Sequence, residues 1–148
     1  MSVLPSIHAL CETIRHRVTI PVVLGRPDSA IPGLYIWPWR MEINAEWSSR
    51  PPRPPMGGRT PLVDQPTFNT HILILPIPAL SAEGWTSLET AQLALHDHPM
   101  LTVNGTVLRI VPEATFSVEE LSALFVAAQL PLSICAAFVL SGPSLPMA

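Results

Sequence analysis

Proline decides where this chain can continue a helix or a strand ladder. It has 18 prolines in 148 residues, where average usage of about 5% would give roughly seven. Six of them fall between Pro51 and Pro66. A residue with no amide hydrogen and a fixed φ is disfavoured in helix interiors and in the middle of sheets. The stretch from Asn44 to Gln65, which also holds Gly57, Gly58, Arg50, Arg53 and Arg59, is therefore expected as a long loop or arm with no core-forming pattern. Connections longer than about 15 residues inside compact domains are usually functional or disordered.

On either side of this arm the apolar pattern is regular. Ile7, Leu10, Cys11, Ile14 and Val18 lie on one helical face, with Pro5 suited to the first turn, Ser6 as the candidate cap and Pro21 ending the segment. Val22 to Leu24 and Leu34 to Ile43 read as strands. In the second, Tyr35, Trp37, Trp39, Met41 and Ile43 alternate onto one face, with Arg40 and Glu42 on the other. Pro38 places that strand at an edge or at a bulge.

Phe68 to Ile77 has the near-continuous apolar character of a central strand buried on both faces. A helix is expected from about Thr86 to Asp97. Asn104-Gly105 predicts a type I′ hairpin between Met100–Val103 and Thr106–Val111. Ser117 with Glu120 is a capping-box pair ahead of Leu121, Leu124, Phe125 and Ala128. Leu132 to Leu140 completes the series as a strand. The order αβββαββαβ, without internal repeat, predicts one α/β (α+β) domain over residues 1–148. It is a mixed sheet flanked by about three helices, with the arm at about 45–66.

Composition narrows the function classes. Charged residues are 13%, hydrophobic residues 48%, and the net charge is −3, which is incompatible with charge-driven disorder. All eight basic residues are scattered Arg, so no basic field exists for a phosphate backbone and nucleic acid is not an expected partner. A surface poor in charge favours association. Met1 to Pro5 lacks the positive region of a signal peptide. Leu130 to Leu140, broken by Pro131, is too short to span a bilayer, so no membrane insertion is expected. Cys11 and Cys135 read as small buried hydrophobes, with a bridge between them as the less favoured alternative.

No nucleophile elbow, phosphate loop, dinucleotide fingerprint, C-x-x-C or H-E-x-x-H is present. His96-Asp97-His98 is the strongest metal-like cluster, but zinc sites need further ligands at useful spacing. A helix end before Pro99 explains the triplet better. His8, Glu12 and His16 form a line along the first helix that is expected to be its solvated face. His71 is the remaining histidine, in a predicted strand with no acidic neighbour in sequence. No catalytic, metal or cofactor site is therefore expected. Trp37 and Trp39 are expected in the core. Trp47, Arg50, Arg53 and Arg59 are the candidate interface residues, since Trp and Arg dominate binding hot spots.

Four stretches resemble the N-terminal domain of the tail-terminator, or cap, proteins of extracellular contractile injection systems of the Photorhabdus virulence cassette and antifeeding prophage type. They are Ser6–Leu10 with Thr13–Arg15, Tyr35–Trp37 with Asn44, Ala91–Leu101, and Ser117–Phe125 leading to Ile134. Phe125 stands where that family is expected to have Trp. The resemblance implies a ring, expected as a hexamer, on the end of the inner tube and sheath of a phage-tail-like particle assembled in the bacterial cytoplasm. Its partners would be itself, the inner tube protein and the sheath protein. The alternatives from the residues are a small metal-dependent or other small-molecule enzyme using His96, Asp97 and His98, or a proline-arm adaptor.

Overall fold

The structure, a computed structural model, describes residues 4–43, 68–113 and 116–144. The elements in chain order are α1 (Leu4–Arg15), β1 (Val22–Leu24), β2 (Gly33–Ile43), β3 (Phe68–Ile77), α2 (Ala82–Asp97), β4 (Met100–Val103), β5 (Thr106–Pro112), α3 (Val118–Ala127) and β6 (Ala136–Ser144). The strands form one mixed sheet in the order β1-β2-β3-β6-β5-β4. Only β1 and β2 run parallel; every other pair is antiparallel.

The sheet curls, because α1 touches β1 at one edge and β4 at the other. Ile7, Leu10, Cys11 and Ile14 fill the concave side with Ile36, Ile72, Ile74, Leu108, Ile110 and Leu140, and α2 adds Leu88, Ala91 and Leu95. The opposite face is smaller. Tyr35, Leu73 and Leu75 meet Phe125 of α3 there, with Trp37, Trp39, Leu121 and Leu130 packed around them. Thus β3 is buried on both sides, as its continuous apolar run predicts.

Several boundaries differ from the sequence expectation for identifiable reasons. α1 begins a turn earlier, with Pro5 in its first turn, so Ser6 lies buried inside the helix and does not cap it. After Arg15 the chain closes with bonds from Arg17 and Val18 to the Ile14 carbonyl, which keep Val18 packed against the core. α2 also starts earlier than Thr86. The Ser81 side chain accepts from the Gly84 amide at 3.0 Å and caps a first turn that has no apolar periodicity to announce it. β6 starts at Ala136, four residues later than Leu132. Ala136 is where the chain first comes opposite Ile74 of β3, and Leu132 stays exposed.

The local turn chemistry follows the sequence. Asn104 and Gly105 both have positive φ (51° and 77°), as a type I′ turn requires. Ser117 accepts from the Glu120 amide at 3.1 Å and caps α3. Pro38 sits where β2 has run past β1, whose pairing stops at Ile36, and the β2–β3 register shifts between Pro38 and Arg40. It is therefore both at an edge and at a bulge. That bulge also changes which side chains share a face. Trp37 stays with Leu73, but Arg40 now pairs with His71 and Met41 with Thr70. Met41 and Ile43 consequently point to the side opposite Trp37 and Trp39, not to the same side as strict alternation predicts.

Two substitutions test this packing. Leu10 is fully buried within the curl, so Leu10→Ala should cost about 2–5 kcal/mol in urea unfolding. Gly84 is in a helix, where Ala is ordinarily better. A Cβ there would meet Ser81 Oγ at 2.7 Å, the Pro78 carbonyl oxygen at 2.9 Å and Pro76 Cβ at 3.0 Å. Gly84→Ala should therefore lower stability by about 1–3 kcal/mol despite the helix propensity.

Candidate functional site

The four sequence-predicted interface residues, Trp47, Arg50, Arg53 and Arg59, lie outside the described residues. What the structure does show is the base from which their segment departs. Ile43 and Phe68, the last described residue before it and the first after it, are register partners at the end of the β2–β3 ladder.

A polar cluster occupies this end of the sheet on the α3 side. His71 of β3 is buried. Its Nε2 lies 2.9 Å from Glu42 Oε1 on β2, and its Nδ1 lies 3.1 Å from both carboxylate oxygens of Glu113, just beyond β5. Arg40 pairs with the second Glu42 oxygen at 2.9 Å. Trp39, the bulged residue, leans on the imidazole with ring centroids 5.5 Å apart and makes an edge contact with Phe116 at 5.3 Å. The cluster therefore ties β2, β3, the end of β5 and the approach to α3 into one unit.

The sequence gives no hint of it. His71 has no acidic residue near it in the chain, and both carboxylates arrive through tertiary structure, Glu42 only because the bulge turns it onto the His71 face. Two carboxylates facing the two ring nitrogens call for two N–H donors, which only the imidazolium supplies. Burial opposes that charge most strongly, but hydrogen bonds and charge attraction from Glu42 and Glu113 together outweigh it and hold the His71 pKa above its usual 6.5. The His71 hydrogen bond, opposed by some desolvation and helped by Arg40, holds Glu42 below its usual 4.5.

The other sequence-singled residues are dispersed. His8 and Glu12 are exposed on α1 and His16 is exposed in the turn just after it, and Glu12 pairs with Arg15. His96 lies in the last turn of α2. His98 caps that helix, its amide bonding to the Ala94 carbonyl, while its Nε2 is 3.1 Å from Arg17 Nη2. Among the described residues no group of three or more His, Cys, Asp or Glu side chains is placed to hold a metal ion. Cys11 and Cys135 are both free and belong to the two opposite core faces. Burial raises the thiol pKa of each, that of Cys135 to about 11.

A groove of about 350 Å³ between α2 and strands β5 and β6 is lined by Leu93, Leu95, Ile110, Pro112 and Phe138, with Gln92 and His96 its polar members. It lacks the converging titratable groups of a reaction centre. No described helix is long and apolar enough to cross a membrane.

No protein-family model matches the sequence, and no curated protein does. Among the solved structures that share the fold are two terminators. One is the PVC sheath/tube terminator of an extracellular contractile injection system in its extended state, at a TM-score of 0.72 and 11% identity over 97% of this chain. The other is the anti-feeding prophage cap, the AFP tube-terminating cap, at a TM-score of 0.72 and 12% identity over 100% of this chain. This chain spans 56% and 57% of those two proteins. The α+β architecture expected from the element order is thus that of two terminator caps.

The cluster predicts a definite pH dependence. A raised His71 pKa contributes stability in full below 6.5 and loses it as pH climbs through the folded-state value. A lowered Glu42 pKa contributes above 4.5 and loses it as pH falls through its folded-state value. The combined contribution should peak between about 4.5 and 6.5. His71→Ala, which leaves Glu113 without its counter-charge, should cost about 2–3 kcal/mol at pH 6. It should also flatten the alkaline limb of the stability profile measured by thermal melts.

Proposed function

We propose that this chain is a structural cap, a tail terminator, of a contractile injection system. It forms a ring of six subunits on the end of the inner tube and sheath, ends their polymerisation and holds the last sheath layer. The observation that carries this is the fold likeness to two proteins described as a sheath/tube terminator and a tube-terminating cap, each over nearly the whole chain.

The physical character of the chain suits the role. Stopping a polymer requires a rigid body, exposed apolar surface and reach to a neighbour, not a reaction centre. The curled sheet closed on α1 supplies the first. Exposed Trp85, Leu93, Met41 and Ile43 on one side and Val126 and Leu132 on the other supply the second. The Pro/Arg arm at about 45–66, with Trp47, Arg50, Arg53 and Arg59 as contact residues, supplies the third. A head-to-tail interface whose rotation closes yields a ring in place of a filament. Self, tube and sheath are the partners; nucleic acid and membrane are not. Assembly takes place in the bacterial cytoplasm, before the finished particle exists.

Electron microscopy of particles from a strain lacking the chain tests this. Tube and sheath lengths should lose their uniformity, and complementation should restore it. An unchanged length distribution would overturn the assignment.

A further inference from the structure

No charged residue occurs after Glu120 in the entire chain, and α3 lies at the start of that stretch. Its inward side is Leu121, Phe125 and Ala128, which meet the core. Its outward stripe is Glu119, Ala123, Val126 and Ala127, at offsets 0, 4, 7 and 8, and all four are exposed. Val126 is 75% exposed and Leu132, just past the helix, 54%. The result is an apolar track headed by two acids, Glu119 and Glu120, which form no ion pair among the described residues.

Elsewhere the chain carries a segment with the complementary character. Residues 44–67 hold three arginines, Arg50, Arg53 and Arg59, against Glu46 and Asp64. This is a net +1 in a chain of −3, so the remainder carries −4. Between those arginines lie four prolines and Met56, the side chains that pack on apolar tracks while guanidinium groups fork onto carboxylates. The segment starts and ends at the register partners Ile43 and Phe68, so 24 residues out and back reach at most about 40 Å, enough to cross to a neighbouring body. Val126 and Leu132 are exposed, and a segment of this composition from a second copy has the chemistry to cover them.

We infer that the outward face of α3 is the receiving surface for the Pro/Arg segment, residues 45–66, of a second copy of this chain, with Glu119 and Glu120 meeting its arginines. The inference rests on the proposed self-assembly and adds the surface through which one subunit holds the next.

A photo-crosslinking residue placed at Val126 of the full-length chain, in a mixture of isotope-labelled and unlabelled copies, tests it. Mass spectrometry should find residues 45–66 of the other isotope joined to position 126. A crosslink within one copy, to tube or sheath protein, or to nothing would overturn the inference. In parallel, Val126→Glu should weaken self-association at least tenfold with an unchanged melting temperature. The triple change Arg50→Glu, Arg53→Glu, Arg59→Glu should do the same, and adding Glu119→Arg with Glu120→Arg should recover most of the loss. Undiminished association of either variant counts against the inference. Particle length is scored separately: uniform length that depends on the chain, without the crosslink, removes this contact and leaves the cap assignment standing.

Discussion

Pro38 has no amide hydrogen to give, and the β2–β3 ladder absorbs that defect by admitting Trp39 as an extra residue before Arg40. Much of the arm-proximal end of the molecule depends on this one accommodation. The bulge reverses the faces of everything beyond it. Glu42 comes to lie beside His71 and Arg40 beside Glu42, while Met41 and Ile43 are sent to the far side. Without it Glu42 would point away from His71, and the buried imidazole would face Glu113 alone. An inserted residue, neutral as a matter of propensity, thus sets the electrostatics of three strands.

The same end of the sheet is where the arm leaves and returns. A proline-rich segment cannot build a core of its own, so the described structure bears on it only through the residues that flank it. Here these are the paired Ile43 and Phe68, backed by the His71 cluster and by Trp39 wedged against Phe116. The rest of the body is rigid for a different reason. A six-stranded sheet curled around α1 buries both faces of β3 and leaves little freedom to the strands on either side. A body held in this way suits the proposed capping role, and its fold is shared with two terminator caps.

Low charge takes its meaning from placement. Spread evenly, few charges would only lower solubility. In this chain two of the eleven acids head α3, the stretch after them has no charge, and three of the eight arginines fall in residues 44–67. In the proposed contact between copies it is this placement of the few charges that would supply specificity.

Element order, the hairpin at Asn104-Gly105, the capping of α3 by Ser117 and the central position of β3 were all legible in the sequence, because they arise from near-neighbour chemistry and from periodicity within one element. Pro38 likewise announced an edge or a bulge. The start of α2 was less legible, since Ser81 caps a turn whose Ala82 and Gly84 leave no apolar trace, and β6 was displaced because its start is set by a partner strand. The His71 cluster was beyond reach altogether. Its three members are 29 and 42 positions apart, and they meet only because a bulge reverses alternation and a sheet brings β5 alongside β6. What the sequence by itself determined was which segments can be helix, strand or arm, since proline geometry and side-chain period act locally. Which faces those segments share, and so where the buried charge and the open apolar track lie, was decided only by strand register and curl, which depend on contacts between residues distant in the chain.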